Sequence, residues 1–172
     1  MRDPRTRQLA KLIVNHSCEL KAGEAVLIES FDLADGLVLD LIEETQAVGA
    51  IPVVSIRDNG VIRAQLRGAT EAQLKIQADL ELYQMKAVQA YIGIRASTNV
   101  SELSDVPADR MNLYQQIVSK PVHLDYRVNH TRWVVLRYPN AAMSQLASMS
   151  TEAFEDFYFK VCNVDYARMR DV

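Results

Sequence analysis

The chain is poor in the residues that build staples and metal cages. It carries two cysteines and three histidines in 172 residues. Cys18 and Cys162 cannot make a disulfide framework. Both fall on apolar helix faces, so they are read as buried reduced thiols. Positive charge is not in surplus. The net charge of −3 gives no electrostatic reason to bind nucleic acid or an anionic membrane. No apolar run approaches the ~20 residues needed to span a bilayer. The opening Met-Arg-Asp-Pro-Arg-Thr-Arg is charged where a signal peptide needs an apolar core. Together these features predict a cytoplasmic protein. No internal repeat, low-complexity tract or Pro/Gly-rich linker interrupts the chain, and its length suits one domain, residues 1–172.

Several catalytic signatures are missing too. The loop after the first predicted strand, Glu29-Ser-Phe-Asp-Leu-Ala-Asp35, has no glycine before Gly36. A dinucleotide site wants glycines there, so that bare N–H groups can approach phosphate. Glu29, Asp32 and Asp35 would repel phosphate instead. They are read as a helix N-cap with a solvated acidic first turn. There is no Walker motif and no Gly-x-Ser-x-Gly elbow. Cys18 stands two residues from His16, a spacing that does not face on a helix, and His16 is read as a core histidine. His123, Asp125 and His130 are the one close His/Asp group. His123 and Asp125 share a face only on a strand, and a catalytic metal draws about three ligands from well-placed elements. The group is read as structural.

What is present is an alternation of strands and helices. A first helix is expected over 6–18, a strand over 25–28, and a helix from Asp32 or Asp35 to Val48 with Asp40, Glu43 and Glu44 outward. A strand over 51–56 and a short helix over 61–67 follow. Thr70-Glu-Ala-Gln73 has capping-box spacing for a helix reaching Met85. Alternating Val88, Ala90, Ile92 and Ile94 predict a third strand. Pro107 opens a helix to about Ser119. Residues 122–128 alternate like an edge strand or an extended connection. This pattern predicts an α/β fold: doubly wound, Rossmann-like, with a mostly parallel sheet of at least four strands and helices on both faces.

The stretch near the C-terminal end organises the rest. Trp133-Val-Val-Leu136 is a continuous apolar run between arginines, the pattern of a covered strand. Phe154, Phe157, Tyr158, Val161 and Cys162 then share one helix face. Phe159 points about a hundred degrees further round. With Tyr166 and Met169 it is expected to stay uncovered, so that the isolated chain self-associates through this helix.

Thr131-Arg-Trp-Val-Val-Leu-Arg-Tyr-Pro139, Met149-Ser-Thr-Glu-Ala-Phe-Glu-Asp-Phe-Tyr-Phe159 and Val164-Asp-Tyr-Ala-Arg-Met169 resemble the thermophilic metallo-aminopeptidases of the aminopeptidase T and S type. Leu9-Ala-Lys-Leu-Ile-Val-Asn15 and Lys21-Ala-Gly-Glu-Ala-Val-Leu-Ile28 resemble the same family's opening. The likeness runs end to end along this chain and covers only the family's N-terminal portion. It implies the N-terminal domain of an enzyme that uses divalent metal ions to remove N-terminal residues from peptide substrates. The implied metal ligands lie in the family's C-terminal portion, so no catalytic, cofactor or metal residue is assigned in this chain. The resemblance implies a role in shaping the cleft and holding the other domain. Arg132, Arg137 and Tyr138 are the polar groups to inspect first for cleft-facing roles. The competing reading is a stand-alone, non-catalytic Rossmann-like binding or interaction module.

Overall fold

Four short apolar runs become the strands of one parallel sheet. They are β1 (Ala25–Phe31), β2 (Ile51–Arg57), β3 (Ala90–Arg95) and β4 (Arg132–Arg137). The structure is a computed structural model and describes residues 2–32 and 34–164. The strand order is β2-β1-β3-β4, and every pairing is parallel. The helices are α1 (Pro4–Leu12), α2 (Asp35–Ala47), α3 (Asn59–Arg67), α4 (Glu71–Lys86), α5 (Ala108–Tyr114), α6 (Val128–His130), α7 (Ala141–Leu146) and α8 (Thr151–Cys162). Asp3, Asp58, Thr70, Asn140 and Ser150 each cap a helix through the side chain, as short polar residues do when they accept an orphan N–H. No helix among the described residues is long and apolar enough to cross a membrane.

Both sheet faces are covered. Val26, Ile28, Ile92 and Ile94 turn to one side and pack on α1, α2 and α8. Leu27 and Tyr91 turn to the other and meet Met85 and Val122. A third cluster, around Leu66, Leu74 and Val118, ties the helices of that second layer together. The central strands β1 and β3 are therefore buried on both sides. The alternation expected from Val88 to Ile94 is absent for that reason: residues 90–94 are all buried.

Several expectations change. The run Trp133–Leu136 is not a covered strand. β4 is the sheet's edge, its burial alternates, and Trp133 is 44% exposed. Residues 122–128 are not extended. Residues 122–127 belong to a wide π-helix, Gln115–Arg127, that runs on from α5 through Pro121, and Val128 opens α6. A proline inside a helix removes one donor and crowds the preceding turn, so the ladder there cannot stay regular. The first helix likewise ends in a π turn, Ile13–Ser17. Asp40 faces inward, held by Arg2 at 3.0 Å and by the Thr6 hydroxyl at 2.5 Å.

The aromatic helix is also turned differently. Phe159 is 4% exposed in the core, beneath the Arg5 guanidinium, whereas Phe157 is 54% exposed. Helix α8 packs beside α1, and Arg5 pairs with Glu155 and Asp156 across that contact. The expectation of self-association through Phe159 therefore loses its basis. Tyr166 and Met169 lie outside the described residues. Phe159→Ala is expected to cost about 3–5 kcal/mol in urea unfolding, and Phe157→Ala less than about 1 kcal/mol. Equal losses would overturn this placement.

Candidate functional site at the carboxyl end of the sheet

The chain enters the sheet at β1, goes to β2 on one side, and crosses to β3 on the other. The strand order reverses between β1 and β3. In open α/β sheets, ligands lodge beyond the carboxyl ends of the strands at such a point.

A buried charge network lies just beneath. Glu29 sits near the end of β1 at 1% exposure. A buried carboxylate must be paired and hydrogen-bonded, and this one is met twice. Arg57 Nε lies 2.7 Å from one oxygen, and the Tyr91 hydroxyl donates to the other at 2.7 Å. Gly93 stands directly opposite Glu29 in the β1–β3 register. A Cβ at Gly93 would come within 2.8 Å of the Tyr91 ring, so only glycine lets that ring lie along β3 and reach Glu29. Arg57 Nη1 also reaches Glu81 of α4 at 2.7 Å, and Gln77 donates to the same oxygen at 2.8 Å. Burial opposes the Arg57 charge, but Glu29 and Glu81 outweigh it and its pKa is raised.

Above the network is an open cleft. Two adjoining hollows of about 300 and 200 Å³ share Asn59, Arg95, Ser97 and Leu103. Arg95 ends β3, and its guanidinium stacks on Phe31 at 3.8 Å from the ring centre. Its register partner on β4 is Arg137. Asp32, at the end of β1, adopts φ 60°, which aspartate tolerates better than most residues. It accepts from both the backbone N–H and the side-chain amide of Asn59, at 2.8 Å each. Asp32 therefore tethers the loop after β1 to α3. It does not cap α2, whose N-cap Ala34 has no side-chain bond. Asp35 does stand exposed in the first turn of α2, but Glu29 is not solvated and belongs to the buried network.

The other expected residues scatter. His123 points into the network, its Nε2 3.9 Å from Glu81, while Asp125 is exposed and pairs with Lys120 at 2.6 Å. His130 stacks on Tyr126. On a helix these residues separate, as the spacing requires. Arg132 and Arg137 lie at opposite ends of β4, so only Arg137 reaches the cleft; Arg132 binds Glu24 and the Glu19 carbonyl. Tyr138 packs against the α1–α2 side of the core, and burial raises its pKa. Cys18 is buried with its thiol pushed up to about 12 by desolvation, and Cys162 is half-buried; both are free.

Comparison with known proteins decides the family. The model of the thermophilic metalloprotease family (M29) matches residues 2–169. The chain belongs to this family. Wild-type AmpT from Thermus thermophilus superposes with a TM-score of 0.71 at 16% identity, over 93% of this chain and 43% of that one. This chain thus spans less than half of the AmpT chain. VinN overlaps at a TM-score of 0.33 and 12% identity, over 67% of this chain and 27% of that chain, and nothing below rests on it. No curated protein matches by sequence.

A metalloprotease implies a divalent metal, and the donors here do not fit one. No group of three His, Cys, Asp or Glu side chains among the described residues is arranged to hold an ion. Glu29, Glu81 and His123 come nearest, but Arg57 occupies the place of the cation, bonded to both carboxylates. The sequence carried faint signals of this network: an acid inside an apolar strand, a glycine inside another, and arginines ending β2 and β3. An isolated strand glycine marks a close approach, but its partner Tyr91 and the acid Glu29 lie on different strands.

His123 should make stability fall in mild acid. Burial holds its pKa below the ordinary 6.5, and Arg127 and Arg95 push the same way, against the pull of Glu29 and Glu81. Below 6.5 the unfolded chain therefore takes up a proton that the folded chain resists. The stabilising contribution is complete above the unfolded value and is lost as pH falls through the folded one. His123→Gln is expected to flatten the fall in melting temperature between about pH 7 and pH 5. Parallel profiles for both proteins would overturn the assignment.

Proposed function

We propose that this chain is the N-terminal domain of a metal-dependent aminopeptidase, which removes N-terminal residues from peptides. The observation that carries the reading is the match of the metalloprotease family model to residues 2–169. In this reading the domain supplies no metal ligand. It shapes the cleft and docks the metal-binding domain. Its free cysteines suit the reducing cytoplasm, where we place it.

The docking role is supported by one surface. Edge strand β2 exposes Ile51, Val54 and Ile56. Beside it, Val61, Ile76, Leu80 and Tyr83 line an open groove of about 990 Å³ between β2, α3 and α4. An apolar edge of this kind invites a covering layer. The AmpT chain, of which 43% is matched, has more than half its length left to provide one.

Two measurements test the reading. The 172-residue chain is expected to leave an amino-acid anilide uncleaved with any added divalent metal. Cleavage by pure protein that a chelator abolishes and metal restores would overturn its non-catalytic role. Leu80→Glu is expected to lower the melting temperature of a longer protein carrying both domains and to leave that of this chain unchanged. An unchanged longer protein would remove this groove as the docking surface.

A further inference from the structure

We propose that Arg95 and Arg137 form a pocket for a singly charged carboxylate, the α-carboxylate of a short peptide. The choice of a peptide rests on the aminopeptidase reading; the carboxylate pocket rests on the cleft itself. The two guanidiniums are register partners at the carboxyl ends of β3 and β4, and both line the 300 Å³ hollow. Neither has a carboxylate partner among the described residues. The Arg95 guanidinium lies over the Phe31 ring at 3.8 Å from its centre, and Arg137 has only the Met143 sulfur at 3.8 Å.

The nearby acids are otherwise engaged. Asp32 is taken up by Asn59, and Glu29 by Arg57 and Tyr91. Glu102 lines the same hollow and accepts from Asn99 at 2.8 Å. Two guanidiniums against one carboxylate leave a single positive charge, which favours a monoanion over a multiply charged phosphate. The contact with Phe31 restrains the Arg95 guanidinium at the floor of the hollow, which lowers the cost of ordering it on a ligand. Planar guanidinium forks match carboxylates two bonds at a time.

The pocket would hold the far end of a peptide while its N-terminus reaches toward a metal-bearing domain. A positioning role of this kind would favour short peptides, whose carboxylate lies within reach of both.

The probes are tri-alanine, its C-terminal amide, and inorganic phosphate, added separately to the full 172-residue chain with the arginine side-chain N–H signals followed by NMR. Tri-alanine is expected to bind saturably and to shift the Arg95 and Arg137 signals. The amide should bind about tenfold more weakly or worse, and R95Q and R137Q should each cost about tenfold. Arg137 is exposed at the end of the edge strand, so R137Q keeps the fold even if R95Q does not. Equal binding of acid and amide, unchanged binding by R137Q, tighter binding of phosphate, or no saturable binding would each overturn the pocket. Preference for the acid, with no metal-dependent cleavage by the longer protein, would sustain the pocket and remove the peptidase reading.

Discussion

The Arg57 guanidinium, held between the buried carboxylates of Glu29 and Glu81, is the contact on which the upper half of this molecule depends. It joins β2 to β1 and both to α4. Tyr91 brings in β3 by crossing Gly93 to reach the same Glu29. Burying such charges is expensive, and a pair is tolerated only when its remaining lone pairs are met. Here Tyr91 meets the second oxygen of Glu29, while Gln77 adds to the Glu81 oxygen that Arg57 holds. The other Glu81 oxygen has no hydrogen bond among the described residues, only His123 Nε2 at 3.9 Å. Loss of Arg57 would strand two acids in the interior, so this single cation specifies how three strands and a helix align. The same cation explains why a site with two acids and a histidine does not fit a metal ion.

The network also separates two environments at the switch point. Below it, the sheet is packed on both faces. Above it, Arg95 and Arg137 have no acidic partner among the described residues, because the described acids nearby are committed to Arg57, Asn59 and Asn99. A positively charged crevice is thus left over by the way the core resolves its own charges. At the side of the sheet, β2 leaves a second open feature, an apolar edge bordered by α3 and α4. A four-stranded sheet has two edges to manage. β4 carries arginines at both ends and has Arg127 over its Trp133 at 4.4 Å, while β2 has no such cover.

Local patterns in the chain carried most of the fold. The apolar runs, the Thr70 cap and Pro107 at a helix start are short-range signals, and the strands and the main helices follow from them. The errors share one cause. Trp133–Leu136 has the composition of a covered strand, yet its exposure was decided by its place last in the strand order. Spacing alone placed Phe157 inward and Phe159 outward, and the structure reverses both, while Phe154 and Tyr158 do face the core. Phe159 is instead buried beneath Arg5 of α1, a helix far away in sequence that α8 packs beside. Residues 122–128 alternate perfectly for a strand, but the helix begun at Ala108 carried through them.

By itself, then, the sequence determined the alternation of elements, the parallel α/β class and the family, because these rest on local periodicity and on linear motifs. Tertiary structure alone decided which charges are spent and which are free. Glu29, Arg57, Glu81 and Tyr91 come from four different elements and meet only when the strands pair in the order β2-β1-β3. Arg95 and Arg137 become neighbours only through the β3–β4 register. An arginine's partner is a matter of distance in space, and neither composition nor spacing along the chain encodes that distance.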